Sequence, residues 1–101
     1  MTTLTLDQLN IFSKISLRII REQEFIIGPI AWDEARKVQG LHIGDIKKEE
    51  VTFDGDAKEV LNRLVNQYVR LFGKLSNEVS KEAAHDLITG LPADEVPSSL
   101  K

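Results

Sequence analysis

The stretch Phe25-Ile-Ile-Gly-Pro-Ile-Ala-Trp-Asp-Glu-Ala-Arg-Lys-Val38 decides the fold, because a weaker copy of its pattern returns later in the chain. When Gly28 is set against Gly73, the residues around the two glycines agree in kind. The matching pairs are Ile27 with Phe72, Ile30 with Leu75, Ala31 with Ser76, and Val38 with Ala83. Each glycine separates two amphipathic runs, so each stretch predicts two helices joined at a tight corner. Two-helix units also converge on such patterns, so duplication and convergence both stay open.

Length and composition restrict the class of protein. The 101 residues suffice for one domain with its own core. A net charge of −3 argues against a phosphate-binding surface spread over the whole molecule. Since there is no cysteine, a disulfide framework, a thiolate zinc site and a cysteine nucleophile are excluded. The sequence shows no secretory signal and no membrane-spanning apolar run, so it predicts a cytoplasmic protein that does not engage a membrane.

The first half of the chain predicts two helices around Gly28. From Leu9 to Ile27 apolar residues recur at helical spacing, and further apolar residues widen the stripe. A helix that is apolar on more than one side is central to a bundle or contributes to a subunit contact. Gly28-Pro29 then ends this helix, and a second one is expected from Pro29 to Gln39. A kink at Gly28-Pro29 within one long helix is the alternative.

The second half predicts an exposed connector followed by the strongest helix. Residues 41–55 lack helical periodicity, apart from a short helix that could form at Asp45–Glu50. A long apolar stripe runs from Val60 to Leu75 and could continue to Leu87 if Gly73 lies inside one helix, so both a broken and a continuous helix stay open. The expected fold class is all-α, a compact bundle of three to five helices that could form two related helix–corner–helix units. Residues 1–91 would be one helical domain, and 92–101, rich in proline and serine, a flexible tail.

One short motif suggests chemistry. The segment Ala84-His-Asp-Leu-Ile-Thr89 resembles the phosphorylation box of sensor histidine kinases, which implies that His85 accepts a phosphoryl group. The competing interpretation is a surface histidine near a helix end, where its charge suits the helix dipole. We identify no catalytic residue, metal-ligand set or cofactor motif elsewhere.

Nucleic-acid binding is a further possible function. It would need the basic residues of the first two helices to converge on one surface, and the net acidity of the chain weighs against it. These residues are Lys14, Arg18, Arg21, Arg36 and Lys37.

A resemblance gives a functional direction. The segment Phe25-Ile-Ile-Gly-Pro-Ile-Ala31 resembles the Ile-Gly-Pro-Ile-Ala segment of small helical modules of uncharacterised function in bacterial signalling proteins, including kinases and cyanobacterial regulatory proteins. The resemblance implies an interaction module in bacterial signalling and brings no catalytic residues with it.

The leading hypothesis is a non-enzymatic helical module that associates with itself, as a symmetric homodimer, or with another protein. Its basis is the surplus of apolar positions on the first helix and on the long later stripe. The predicted partner-binding residues are Ile19, Ile20, Trp32, Leu64, Tyr68 and Leu71. On this hypothesis Ile19→Glu should dissociate the dimer without unfolding the chain.

Overall fold

A computed structural model describes residues 6–48 and 50–101, except for the side chains of residues 6–8 and 46. This part of the chain forms four α-helices and a two-stranded hairpin: α1 (Leu6–Ile27), α2 (Ile30–Arg36), β1 (Leu41–Ile43), β2 (Val51–Phe53), α3 (Ala57–Phe72) and α4 (Lys74–Ile88). Short 3-10 turns occur at Ile46–Lys48, Ala93–Glu95 and Ser98–Leu100. The predicted all-α bundle is confirmed, with the small hairpin added to it.

Gly28 and Gly73 form two corners of the same kind. Both have positive φ, 81° and 88°. Each glycine donates its N–H to the carbonyl four residues earlier, at Glu24 and Val69. The carbonyl of each accepts the N–H three residues later, at Ala31 and Ser76. Since this conformation is accessible to glycine and rare for other residues, Gly73 ends α3 and α4 begins anew, so the long helix is broken.

The two helix–corner–helix units also interlock symmetrically. The Gln23 side chain donates from Nε2 to the Ser76 carbonyl at 2.9 Å, and the Tyr68 hydroxyl donates to the Ala31 carbonyl at 2.6 Å. Gln23 and Tyr68 are both five residues before their glycine, and Ala31 and Ser76 are both three residues after theirs. The two hydrogen bonds therefore join equivalent positions, and each one connects the α1–α2 unit to the α3–α4 unit.

α1 lies at the centre of the bundle. It contacts α2, α3, α4 and β2, which explains why its apolar residues are not confined to one stripe. Phe12, Ile15, Ile19 and Ile20 are completely buried. The accessible surface of 6002 Å² is close to the roughly 5800 Å² expected for a monomer of this mass. Most of the apolar surplus of α1 is thus covered within one copy of the chain, while Phe25 and Ile26 near its C-terminal end stay exposed.

The connector forms an antiparallel hairpin that was not predicted from the sequence. Leu41 pairs with Phe53 and Ile43 with Val51. The Phe53 ring packs edge-on against Phe12 of α1, with 6.4 Å between centroids. Of the short helix expected at 45–50, a 3-10 turn at Ile46–Lys48 is present. Strands of three residues are too short to show the alternation by which a strand is recognised in a sequence.

The C-terminal segment packs on α3 and α4, whereas the sequence suggested a flexible tail. Leu100 is buried, and Ser99 is held by Asn62 and Asn77. Pro92 and Pro97 each precede a single 3-10 turn. The proline content that argued against a helix instead fixes extended steps between two short turns, and these place apolar side chains on the bundle.

Candidate interaction surface

One end of the bundle exposes a group of large apolar side chains. Phe25 is 85% exposed and Leu75 69%, although most apolar residues of these helices are buried. We call this group the apolar end, and it consists of Phe25, Ile26, Ile30, Leu71, Phe72 and Leu75. Contiguous exposed apolar groups of this kind mark binding surfaces on folded proteins.

The fold brings these residues together because both corners lie at the same end. The hydrogen bond from Gln23 to Ser76 holds the last turn of α1 beside the first turn of α4. The bond from Tyr68 to Ala31 holds the end of α3 beside the start of α2. Helix ends that converge at two tight corners leave their outermost side chains without a covering element.

The apolar end contains residues at equivalent distances from the two corner glycines. Ile26 and Leu71 occupy equivalent positions, and they are 58% and 47% exposed. Ile30 and Leu75 are also equivalent, and both are exposed. Each of the two units therefore contributes apolar side chains to the same surface.

On its α1–α4 side the apolar end continues into a groove of about 360 Å³. The apolar part of the lining consists of Phe25, Ile26, Leu75 and Val79, and the remaining lining residues are Glu22, Glu78 and Glu82. Glu22 and Glu82 make no ion pair with the other described residues, while Glu78 lies 4.0 Å from Lys81. The groove therefore combines an apolar floor with an acidic border.

The neighbouring face of α1 has the opposite charge. Three cations line a depression here, together with one carboxylate and three apolar side chains: Lys14, Arg18, Arg21, Glu22, Leu17, Phe25 and Leu87. Their spacings of four and three residues place these three cations along one side of the helix. All three side chains are at least partly exposed. A basic stripe on α1 and an acidic stripe on α4 thus run side by side.

Five of the six predicted partner-binding residues lie in the core of the monomer. Ile19, Ile20, Leu64 and Tyr68 are completely buried, and Trp32 is 7% exposed. A partner would contact them only if the fold opened, because other helices of the same chain already cover them. Leu71 is exposed and belongs to the apolar end. The apolar period showed that these positions pack against other side chains, but it could not distinguish contacts within the chain from contacts between chains.

The two unique aromatic residues serve the internal packing. Trp32 donates from its indole nitrogen to Glu24 at 2.8 Å, which fixes α2 against α1. Burial raises the pKa of the Tyr68 phenol, and the negative charge of Glu34 adds to this effect. Both polar groups are satisfied inside the fold, as is usual for buried Tyr and Trp.

Glu34 is a buried carboxylate in the contact between α2 and α3. Lys37 donates to it at 2.9 Å and Gln67 at 3.2 Å. The hydrogen bond from Lys37 lowers the pKa of Glu34 most strongly, against the opposing effect of burial. No sequence pattern points to this network, because a charged residue on an amphipathic helix is ordinarily solvated.

His85 lies on the exposed side of α4. It makes no hydrogen bond or ion pair with the described residues, so Asp86 does not orient the imidazole. Phosphoryl transfer to His85 stays a prediction, and the structure adds no orienting group in its support.

Among the described residues, the five cations predicted for nucleic-acid binding are not all in one place: three line the depression on α1 and Lys37 lines another. In the part of the chain that the structure describes, no group of three or more metal-ligating side chains occurs. Arg36 and Lys37 pair with Asp33 and Glu34 on α2 and do not join the basic stripe of α1. None of the described helices has the length and apolarity needed to cross a membrane.

The chain was compared with protein families, curated proteins and solved structures. No protein-family model, curated protein or solved structure gave a significant match to the chain.

Proposed function

We propose that this protein is a helical interaction module that binds another protein chain through the apolar end. The single observation that supports this proposal most strongly is the exposure of six large apolar side chains at the two corners. Covering such a group yields roughly 25 cal/mol for each Å² of apolar surface removed from water. The fold itself does not need these side chains to be exposed, since its core is complete without them.

The surface has the features of a protein-binding site. Its aromatic and aliphatic residues lie on rigid helix ends next to charged borders, which resembles the apolar centre and polar rim of protein interfaces. The geometry suits an amphipathic helix laid into the α1–α4 groove. Action in bacterial signalling belongs to the proposal on the strength of the Ile-Gly-Pro-Ile-Ala resemblance alone, and the predicted cytoplasmic location would be tested by cell fractionation.

Site-specific photocrosslinking in cells that express the protein tests this function. A benzophenone amino acid replaces Phe72 in the apolar end or, as a matched control, Leu9, a 38% exposed apolar residue near the other end of α1. We expect protein adducts from position 72 and not from position 9. Adding Phe25→Ser and Leu75→Ser should remove the adducts.

Mass spectrometry of each adduct identifies the bound chain. Equal adducts from both positions, or adducts that survive the two serine substitutions, would contradict binding through the apolar end. The helical circular dichroism of the serine variant is measured alongside, and we expect it to be unchanged because both side chains are exposed.

A further inference from the structure

The acidic border of the α1–α4 groove restricts the chemistry of its occupant. Glu22, Glu78 and Glu82 surround the apolar floor. A purely apolar helix in this groove would desolvate carboxylates without supplying an opposite charge, which costs free energy. A complementary occupant therefore presents cations next to an aromatic or aliphatic side chain.

The outer side of α1 has this composition itself. Lys14, Arg18, Arg21 and Phe25 follow one another at spacings of four, three and four residues, and all are at least partly exposed. We propose that the occupant is a second copy of this chain, with α1 of each copy lying against α4 of the other and Phe25 meeting the second copy's Leu75. This inference rests on the proposed function, because it names the partner of the apolar end.

Within one copy, the packing of α1 on α4 places basic residues of α1 and acidic residues of α4 at the same height, that is, at the same position along the helix axes. The two helices are antiparallel, since Ile11 lies beside Gly90 and Gln23 bonds to Ser76. Arg18 and Glu82 lie about midway between these two contacts and so at nearly the same height. Neither forms an ion pair with the other described residues of its own chain.

A dimer whose two-fold axis is parallel to α1 and α4 brings these opposite charges together. Such an axis lays each α1 antiparallel to the α4 of the other copy and preserves height along the helices. Arg18 of one copy then faces Glu82 of the other, twice in each dimer, and Phe25 faces Leu75. Lys14 and Asp86 lie opposite each other by the same relation, near the far end of the contact. The relation also places Glu22 opposite Glu78, whose carboxylate lies 4.0 Å from Lys81 of its own chain.

Charge disfavours the other simple way of joining the same two faces. An axis perpendicular to the helices would place α1 on α1 and α4 on α4. The basic stripes would then face each other, as would the acidic stripes, and like charges across an interface are unfavourable. The pairing of α1 with α4 is thus the one that the charge pattern favours.

Sedimentation equilibrium of charge-reversed variants tests the inference. The wild type should dimerise reversibly, and Arg18→Glu or Glu82→Arg alone should raise the dissociation constant by roughly tenfold or more, because two attractive pairs become repulsive. An equimolar mixture of the two variants should dimerise again, since one Arg18–Glu82 contact keeps its original polarity and the other has it reversed. Lys48→Glu, a reversal on the exposed hairpin turn, should leave dimerisation unchanged.

Three results would overturn the inference: a monomeric wild type at every concentration, charge reversals without effect, or a mixture that fails to recover. Circular dichroism of each variant separates loss of association from loss of fold. A monomeric wild type that still gives adducts with a different protein at position 72 refutes the second copy as partner and leaves the proposed function intact. Absence of adducts as well refutes both.

Discussion

Gln23 and Tyr68 are equivalent residues that each bond to the opposite unit: Gln23 to the carbonyl of Ser76, and Tyr68 to the carbonyl of Ala31. The two side chains differ chemically, since one is an amide and the other a phenol. They are equivalent because each lies five residues before its glycine and donates to the carbonyl three residues after the other glycine. The pair fixes both corners at one end of the bundle. The apolar end depends on this arrangement, because it consists of the side chains that the two corners leave uncovered.

Removing the Tyr68 hydroxyl should weaken the junction between the two units. We expect Tyr68→Phe to lower the free energy of unfolding by about 1 kcal/mol, since one buried hydrogen bond is lost while the ring is retained. Gln23→Leu should have an effect at least as large, because the amide donates both to the Ser76 carbonyl and to the Ser80 hydroxyl. Guanidinium unfolding measures both, with Thr52→Val on the exposed side of the hairpin as control. An unchanged midpoint for Tyr68→Phe would show that the bond contributes nothing to stability.

Tyr68 should also make the fold sensitive to high pH. Its pKa is raised in the folded state, so its contribution to stability is complete below the ordinary tyrosine pKa of 10.0. Above that pH the unfolded chain loses a proton that the folded chain keeps, and stability falls. Thermal unfolding from pH 9 upward should therefore show a decline that is reduced in Tyr68→Phe. If wild type and variant decline in parallel, other groups cause the loss.

Glu34 should act in the opposite direction at low pH. Its pKa is lowered in the folded state, chiefly by the hydrogen bond from Lys37, so its contribution is complete above the ordinary value of 4.5. The contribution is lost as the pH falls through the lower folded value. Glu34→Gln should flatten this part of the stability profile, whereas Asp33→Asn, at an exposed neighbouring position, should leave it as in the wild type. Equal profiles for both variants would remove Glu34 as the cause.

The two corner glycines should be costly to replace for backbone reasons alone. No atom lies within 4 Å of a Cβ placed on Gly28 or Gly73, yet both have positive φ. We expect Gly28→Ala and Gly73→Ala each to cost about 1–2 kcal/mol of unfolding free energy, and asparagine at the same positions to cost less. Chemical denaturation of the four variants provides the comparison. A neutral Gly73→Ala would mean that α3 and α4 can join into one helix at little cost.

A charge at Ile19 should have a different effect from a charge at Leu75. The sequence suggested that Ile19→Glu would dissociate a dimer and leave the chain folded. Since Ile19 is completely buried, we expect this substitution to unfold the monomer instead. Leu75→Glu, on a 69% exposed side chain, should keep the helical circular dichroism and abolish association. If the Ile19→Glu variant is folded but monomeric, Ile19 itself lies in the dimer interface.

The sequence alone predicted the helical class and identified Gly28 and Gly73 as equivalent positions, while it left open whether Gly73 breaks the later helix. Helical periodicity identified α1 and α3, and Gly28 and Gly73 aligned two units whose equivalence extends to the hydrogen bonds of each corner. These features are local: backbone freedom at a glycine and the period of apolar residues act over a few neighbouring positions. They do not depend on which distant segment covers a given side.

Only the tertiary structure decided which apolar residues are covered. Leu64 and Leu75 belong to the same apolar pattern, but Leu64 is completely buried and Leu75 is 69% exposed. The hairpin and the packed C-terminal segment were decided in the same way, because their few residues are held by contacts with distant helices. The burial of a side chain depends on contacts with all parts of the chain. The periodicity of one segment carries no information about contacts with distant segments.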